Sequence, residues 1–398
     1  MLLPASPRHP TPQTNRPQSS GVLDANSRSE SIPLPPIIFL LASAVFAQGT
    51  SEFVLSGLLP QIAAATGVSL GTAGLLTSLF AAGMVVGAPV LAMLVSKLAR
   101  KIALIAFLGL FAAVHVVGAL TTDFPLLLVT RALAAFANAG FLAIALASLP
   151  SLVAEDAVGR ATSVLLSGVT LACIVGVPAG TVLGQYAGWQ AAFWAIAAIT
   201  GVAAVALTGA KFDNPPATSP VYREWRVLAQ PRVVATVGKG VLVNGGTFAA
   251  FTYLGTMTAP SEWVPVVLAV FGVGSFVGVT IAGKAGPRIL KAGTVVLTAG
   301  WVAAFFAAQS LPGLIAAALL TGAMAFGVGS ALIAAIVTSA SNDAPRVAGA
   351  IATTAFNLGA VVGPAVAGAV VLDAAHARAA FWVSAAFTAA AVLLRVKK

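Results

Sequence analysis

Apolar runs broken by short polar loops recur twelve times along this chain, near 36–59, 70–95, 102–121, 124–150, 161–186, 189–210, 233–257, 262–283, 293–309, 313–339, 347–371 and 378–395. A helix rises 1.5 Å per residue, so about 20 apolar residues cross the hydrocarbon core of a bilayer. Each run predicts one membrane-spanning helix, and the fold class that follows is all-α integral membrane. Two polar stretches are longer than the loops. Residues 1–32 are rich in Pro, Ser, Asn and Arg, without periodicity or the apolar core of a cleavable signal, which predicts a disordered cytoplasmic tail. Residues 211–232 separate the sixth run from the seventh. They divide the chain into an N-terminal half (33–210), a cytoplasmic linker (211–232) and a C-terminal half (233–398), each of six helices.

Basic residues fall on alternate loops. One side carries 18 of the 21 Lys and Arg, among them Lys97, Arg100, Lys101, Arg160, Lys284 and Arg288, whereas the other carries Arg378 alone. Positive loops stay in the cytoplasm. Both termini are therefore expected on that side of a bacterial inner membrane, which an even number of spans satisfies. The composition, 59% hydrophobic and 8% charged with a mean hydropathy of +0.99, does not suit a soluble protein of this length. The net charge of +10 is scattered over loops facing anionic lipid rather than gathered with aromatics, so it does not point to nucleic acid.

The halves repeat each other. Phe80, Gly83 and Gly87 form F-x-x-G-x-x-x-G, and Phe271, Gly274 and Gly278 form it again 191 residues later. Gly140 and Gly329 differ by 189, and Gly176 and Gly363 by 187, each of the latter two followed closely by a proline. Two parallel sets of six spans predict a major facilitator fold, with solute held near mid-membrane between pseudo-symmetric halves.

Ionisable groups at membrane depth carry the functional inference, because each costs several kcal/mol unless paired or hydrated. Glu52 lies eight residues before Pro60, Arg131 seven after Phe124, and His115 six before the end of the third run. Glu52 and Arg131 fall about 10–12 Å below the outer surface, and His115 at nearly the same level. One reading is a buried ion pair that fixes packing, with His115 bonded to a nearby carbonyl. The other is proton coupling, in which a carboxyl set between a cation and apolar surroundings changes its proton after a small movement. Arginine keeps its proton, so Glu52 is the expected carrier and Arg131 its modulator. Gln48, Asn138, Asn244 and Asn357 lie near the middles of their runs and are candidates for binding a polar part of a solute, with Phe248 and Phe251 as an apolar wall. Gly176, Gly180 and Gly184 repeat every fourth residue around Pro178, for which one reading is tight small-residue packing and the other a close-packed, bent helix at the seam between the halves.

Enzyme signatures fail. Gly278-x4-Gly283-Lys284 lacks the Ser or Thr of a phosphate loop and ends a membrane helix. Gly67-x-Ser69-x-Gly71 sits between spans, where Ser69 reads as a helix cap rather than a nucleophile. The single cysteine, Cys173, excludes an internal disulfide and a cysteine cluster. No enzyme activity, metal or cofactor is expected, and an ion gradient is the expected energy source.

Ala47 to Ala63, AQGTSEFVLSGLLPQIA, resembles the first span of twelve-span drug:proton antiporters of the major facilitator superfamily, and closely that of actinobacterial chloramphenicol-efflux proteins. The resemblance continues in Gly71 to Val90, Arg131 to Leu146, Leu165 to Gly180, Asn244 to Leu254 and Phe271 to Lys284, and covers about 33–395. It implies that Arg131 serves proton transfer, that Gly176, Pro178, Gly180 and Gly184 form the antiporter motif of the fifth span, and that Glu52 is the acidic residue of the first-span motif. The implied activity is export of a small amphiphilic drug, chloramphenicol foremost, in exchange for protons by a lipid-embedded monomer. Export of a sugar or metabolite, and a non-transporting receptor or scaffold, are the rival readings. The loops Val95 to Lys101 (VSKLARK) and Gly283 to Arg288 (GKAGPR) depart from the family by lacking its acidic residue.

Overall fold

The structure, a computed structural model, describes residues 33–94, 99–212, 222–285, 289–341, 343–344 and 347–394. The expected tail 1–32, linker residues 213–221, and the departures at 95–98 and 286–288 lie outside these residues. Fourteen α-helices are present among them: α1 (Pro36–Phe53), α2 (Leu55–Thr66), α3 (Leu70–Leu94), α4 (Arg100–Leu120), α5 (Phe124–Leu152), α6 (Val158–Leu171), α7 (Val177–Ala187), α8 (Trp189–Leu207), α9 (Pro231–Leu254), α10 (Val264–Ala285), α11 (Ile289–Ala307), α12 (Leu311–Ser341), α13 (Ala348–Val370) and α14 (Ala379–Leu393).

The helices make twelve rods, because α1 and α2 together form the first span, and α6 and α7, joined by a π-helical turn at Ala172–Gly176, form the fifth. Ten rods are long and apolar enough to cross a membrane, and Ala292–Ala307 and Ala379–Leu393 are shorter apolar helices. Ser69 caps α3 as expected, its Oγ accepting the Thr72 amide at 3.1 Å. Asp123 caps α5 in the same way, accepting from Leu126 at 2.7 Å.

The π turn has a local cause. Pro178 has no N–H, and its ring presses on the carbonyl four residues back in an α-helix. Widening the preceding turn, so that the Val177 amide reaches the Ala172 carbonyl, relieves that conflict.

Packing repeats between the halves. In the first, α4 packs on α8, α3 and α4 on α5, and α1 on α6 and α8; in the second, α11 packs on α14, α10 and α11 on α12, and α9 on α13 and α14. The F-x-x-G-x-x-x-G pairs explain part of this. A Cβ on Gly83 would stand 2.5 Å from the Ala132 carbonyl oxygen of α5, and one on Gly274 would overlap the Leu319 carbonyl of α12. Each pair thus brings its span against the span two further on.

The halves meet along α3 with α13 and along α7 and the π turn with α10. The end poor in basic residues, termed the outer end after the charge pattern, is shut by glycines. Gly71 and Gly368 face each other, and a Cβ on Gly368 would stand 2.7 Å from the Gly71 carbonyl oxygen. Gly255 lies against the Ser56 carbonyl, which Pro60 leaves without its helical amide partner. Gln185 Nε2 donates to the Ser261 carbonyl at 2.7 Å, tying α7 to the turn before α10. In the turn after α13, the Asp373 carboxylate accepts the His376 amide at 3.0 Å and lies 2.8 Å from its Nδ1.

Candidate functional site

The break between α1 and α2 builds the site. Where a helix stops, its last carbonyls lose their amide partners. Ser56 Oγ donates to the Phe53 carbonyl at 2.9 Å, the Gly57 amide bonds the Val54 carbonyl at 3.0 Å, and Arg131 Nη2 donates to the Ser51 carbonyl at 2.9 Å. A cation there also faces the negative end of the α1 dipole.

Arg131 is 1% exposed. Its Nη1 donates to Ser51 Oγ at 2.8 Å, and its guanidinium carbon lies 4.4 Å from the Phe80 ring centroid. His115 reaches the same hydroxyl from α4, with Nε2 2.6 Å from Ser51 Oγ and Nδ1 2.7 Å from the Phe111 carbonyl. The Phe111 and Phe193 rings flank the imidazole at 4.3 and 5.6 Å. The expected layer therefore forms, with the fully buried Ser51 at its centre.

Glu52 is not the partner of Arg131. Among the described residues the carboxyl makes neither an ion pair nor a hydrogen bond. Successive helical residues turn by about 100°. Ser51 faces α4 and α5, and Phe53 faces α9, where it meets Phe248 at 6.0 Å and Phe251 at 5.9 Å. Glu52 points between these directions and is half-buried. The sequence placed these groups at one height; their facing comes from the rotation of α1.

The other candidates divide. Gln48, one turn below Glu52, is 1% exposed, and neither its Oε1 nor its Nε2 has a partner. Asn138 is buried and makes no hydrogen bond among the described residues. Asn244 Nδ2 donates to the Phe356 carbonyl at 2.6 Å and so ties α9 to α13, while Asn357 donates to Thr353 of its own helix at 3.0 Å. These two amides are engaged with backbone. Phe248 and Phe251 are buried and join Phe53, Phe271 and Phe326 in one aromatic chain across the first, seventh, eighth and tenth rods.

The glycine run of the fifth span packs closely, and its neighbour is the first span. A Cβ on Gly176 would overlap Thr50, one on Gly180 would stand 2.7 Å from Val54, and one on Gly184 would overlap Leu58, all within the first span. The run packs the fifth rod onto the first inside one half. The seam to α10 is made instead by Gly272, whose Cβ would stand 2.6 Å from the Cys173 carbonyl oxygen. The π turn at Ala172–Gly176 stands directly before Pro178.

Ser51 and Phe80 are the residues that the sequence reading passed over as site members. A hydroxyl next to an intramembrane acid was the available signal for the first. No group of three His, Cys, Asp or Glu able to hold a metal stands together among the described residues. The chemistry on offer is a carboxyl free to gain or lose a proton, beside a fixed cation and one turn from an unpartnered amide.

Known proteins share this chain's sequence and fold. The family profile of the Major Facilitator Superfamily matches residues 41–287. Over 377 residues the chain is 42% identical to the chloramphenicol resistance protein of Streptomyces lividans, covering 91% of this chain and 95% of that one. The inner membrane transport protein YdhP of Escherichia coli is 32% identical over 347 residues, covering 84% and 88%. Among solved structures, an inward-facing, occupied bacterial homologue of the human lysosomal transporter Spinster matches with a TM-score of 0.73 at 14% identity, covering 90% of this chain and 95% of that one.

Proposed function

Because this chain belongs to the Major Facilitator Superfamily, we propose that it exports a small amphiphilic drug, chloramphenicol foremost, across the inner membrane in exchange for protons. The free, half-buried carboxyl of Glu52 carries this reading. A carrier must take a proton in one facing state and lose it in another. A carboxyl locked in a short ion pair resists both steps, whereas Glu52 has Arg131 held on its neighbour and no bond of its own to break. The name of the Streptomyces relative, at 42% identity, supports the choice of drug.

In this scheme the two six-helix halves rock about the solute, with both termini cytoplasmic and the monomer as the working unit. Gln48 supplies an amide for the drug's polar groups, and the aromatic chain from Phe53 to Phe326 closes the apolar side. One charge moved through 100 mV contributes about 2.3 kcal/mol. At one proton per neutral drug that supports roughly a 50-fold gradient.

Everted vesicles test the reading. Chloramphenicol added to energised vesicles should draw protons out with the wild-type protein, and Glu52→Gln should abolish that movement. Normal coupling in Glu52→Gln would remove Glu52 as the carrier. Drug tolerance measured beside sugar efflux in the same cells separates drug export from metabolite export.

A further inference from the structure

The hydrogen bonds around Ser51 admit one assignment with a neutral imidazole. Arginine only donates, so Ser51 Oγ accepts from Arg131 Nη1. A carbonyl only accepts, so His115 Nδ1 carries hydrogen and donates to Phe111. In the neutral ring Nε2 is then the acceptor, and the Ser51 hydroxyl donates its own proton to it over 2.6 Å. Both ring nitrogens of His115 and the hydroxyl hydrogen of Ser51 are thus engaged. The hydroxyl is oriented by His115 so that a lone pair is presented to the guanidinium.

Arg131 gains two of its bonds from Ser51, one from the hydroxyl and one from the backbone carbonyl, while its Nε is buried without a partner. A buried cation this sparsely served takes another acceptor if one is lost. The neighbouring acid is Glu52, the next residue along α1. We propose that Ser51 and His115 are positioning residues that park Arg131 away from Glu52, keeping the carboxyl unpaired and able to exchange its proton. This rests on the proton-carrier reading of Glu52 for its purpose, although the parking itself is a statement about side-chain placement.

A double-mutant cycle read by thermal melting of purified protein in detergent tests the parking without reference to any drug. In Ser51→Ala, Arg131 loses its hydroxyl acceptor and turns to Glu52, so part of the loss is recovered. In Ser51→Ala on a Glu52→Gln background only a neutral amide oxygen is available in place of the carboxylate, so the guanidinium recovers less. The drop in Tm caused by Ser51→Ala should therefore be about 2–4 °C larger in the Glu52→Gln background. Ser51→Thr, which keeps a hydroxyl, should melt close to wild type in both. Equal drops in the two backgrounds would overturn the proposal, because a purely packing role for Ser51 predicts additivity. If Ser51→Ala does not yield folded protein, Ser51→Cys, a far weaker acceptor, gives the same comparison. An additive cycle leaves the vesicle result for Glu52→Gln untouched, and normal coupling in Glu52→Gln leaves a non-additive cycle standing, so the two ideas fail separately.

Discussion

Gly368→Ala should open the outer end. Its Cβ would stand 2.7 Å from the Gly71 carbonyl oxygen and 2.8 Å from the Tyr253 hydroxyl, where an unstrained contact needs about 3.5 Å. The shortfall is about 0.8 Å. Tyr253 is itself fixed, packed fully buried with its hydroxyl on the Pro364 carbonyl at 3.3 Å, so α3 and α13 must part. Overpacking of this kind costs about 1–3 kcal/mol. In a rocking transporter the two glycines meet only while the outer end is shut, so the cost falls on that state alone. The balance should move toward the outer-open state by about 5- to 150-fold. Spin labels at the exposed Thr122 and Gln309, in a Cys173→Ser background, report the width of the outer end by pulsed distance measurement. The expected result is a longer-distance population rising from minor to dominant in Gly368→Ala. An unchanged distribution in a folded variant would refute the argument that this contact holds the end closed.

Two further outcomes follow from named groups. Gln48→Leu removes a buried amide whose polar atoms have no partner, so the protein without drug should gain about 1–3 kcal/mol in stability by thermal melting while chloramphenicol export falls; a destabilised variant would mean that the amide is satisfied in the folded state. At Asp373 the hydrogen bonds from the His376 side chain and then its backbone amide hold the carboxyl below the ordinary carboxylate range. The stabilisation it lends the turn is therefore complete above the unfolded value and lost as pH falls through the lowered one. Carbon NMR of the Asp373 carboxyl should find its midpoint raised in His376→Ala, and an identical midpoint in both proteins would contradict this account.

Height in the membrane was legible from the sequence, and rotation about the helix axis was not. A fixed rise per residue places Glu52, Arg131 and His115 in one layer whatever their neighbours, because hydropathy marks where each span begins. Which neighbour a side chain faces depends on how each rod is turned, and one position along α1 shifts that direction by about 100°. Ser51 therefore took the place expected of Glu52. The fifth rod does lie at the seam between halves, but that Gly176, Gly180 and Gly184 face the first span rather than α10 was likewise a matter of rotation. The gap at Val54 had no glycine or proline beside it to announce it. Twelve rods in two related sets, by contrast, followed from run length and the repeated F-x-x-G-x-x-x-G, since backbone satisfaction in lipid leaves few alternatives.

Ala132 and Leu319 occupy equivalent places against Gly83 and Gly274, which makes the buried Ala318 the counterpart of Arg131. Where Phe80 lies against a guanidinium, Phe271 meets Phe251 in a tilted contact and Phe326 edge-on. The duplicated scaffold has thus diverged at this position: one copy buries a cation there, and the other an alanine.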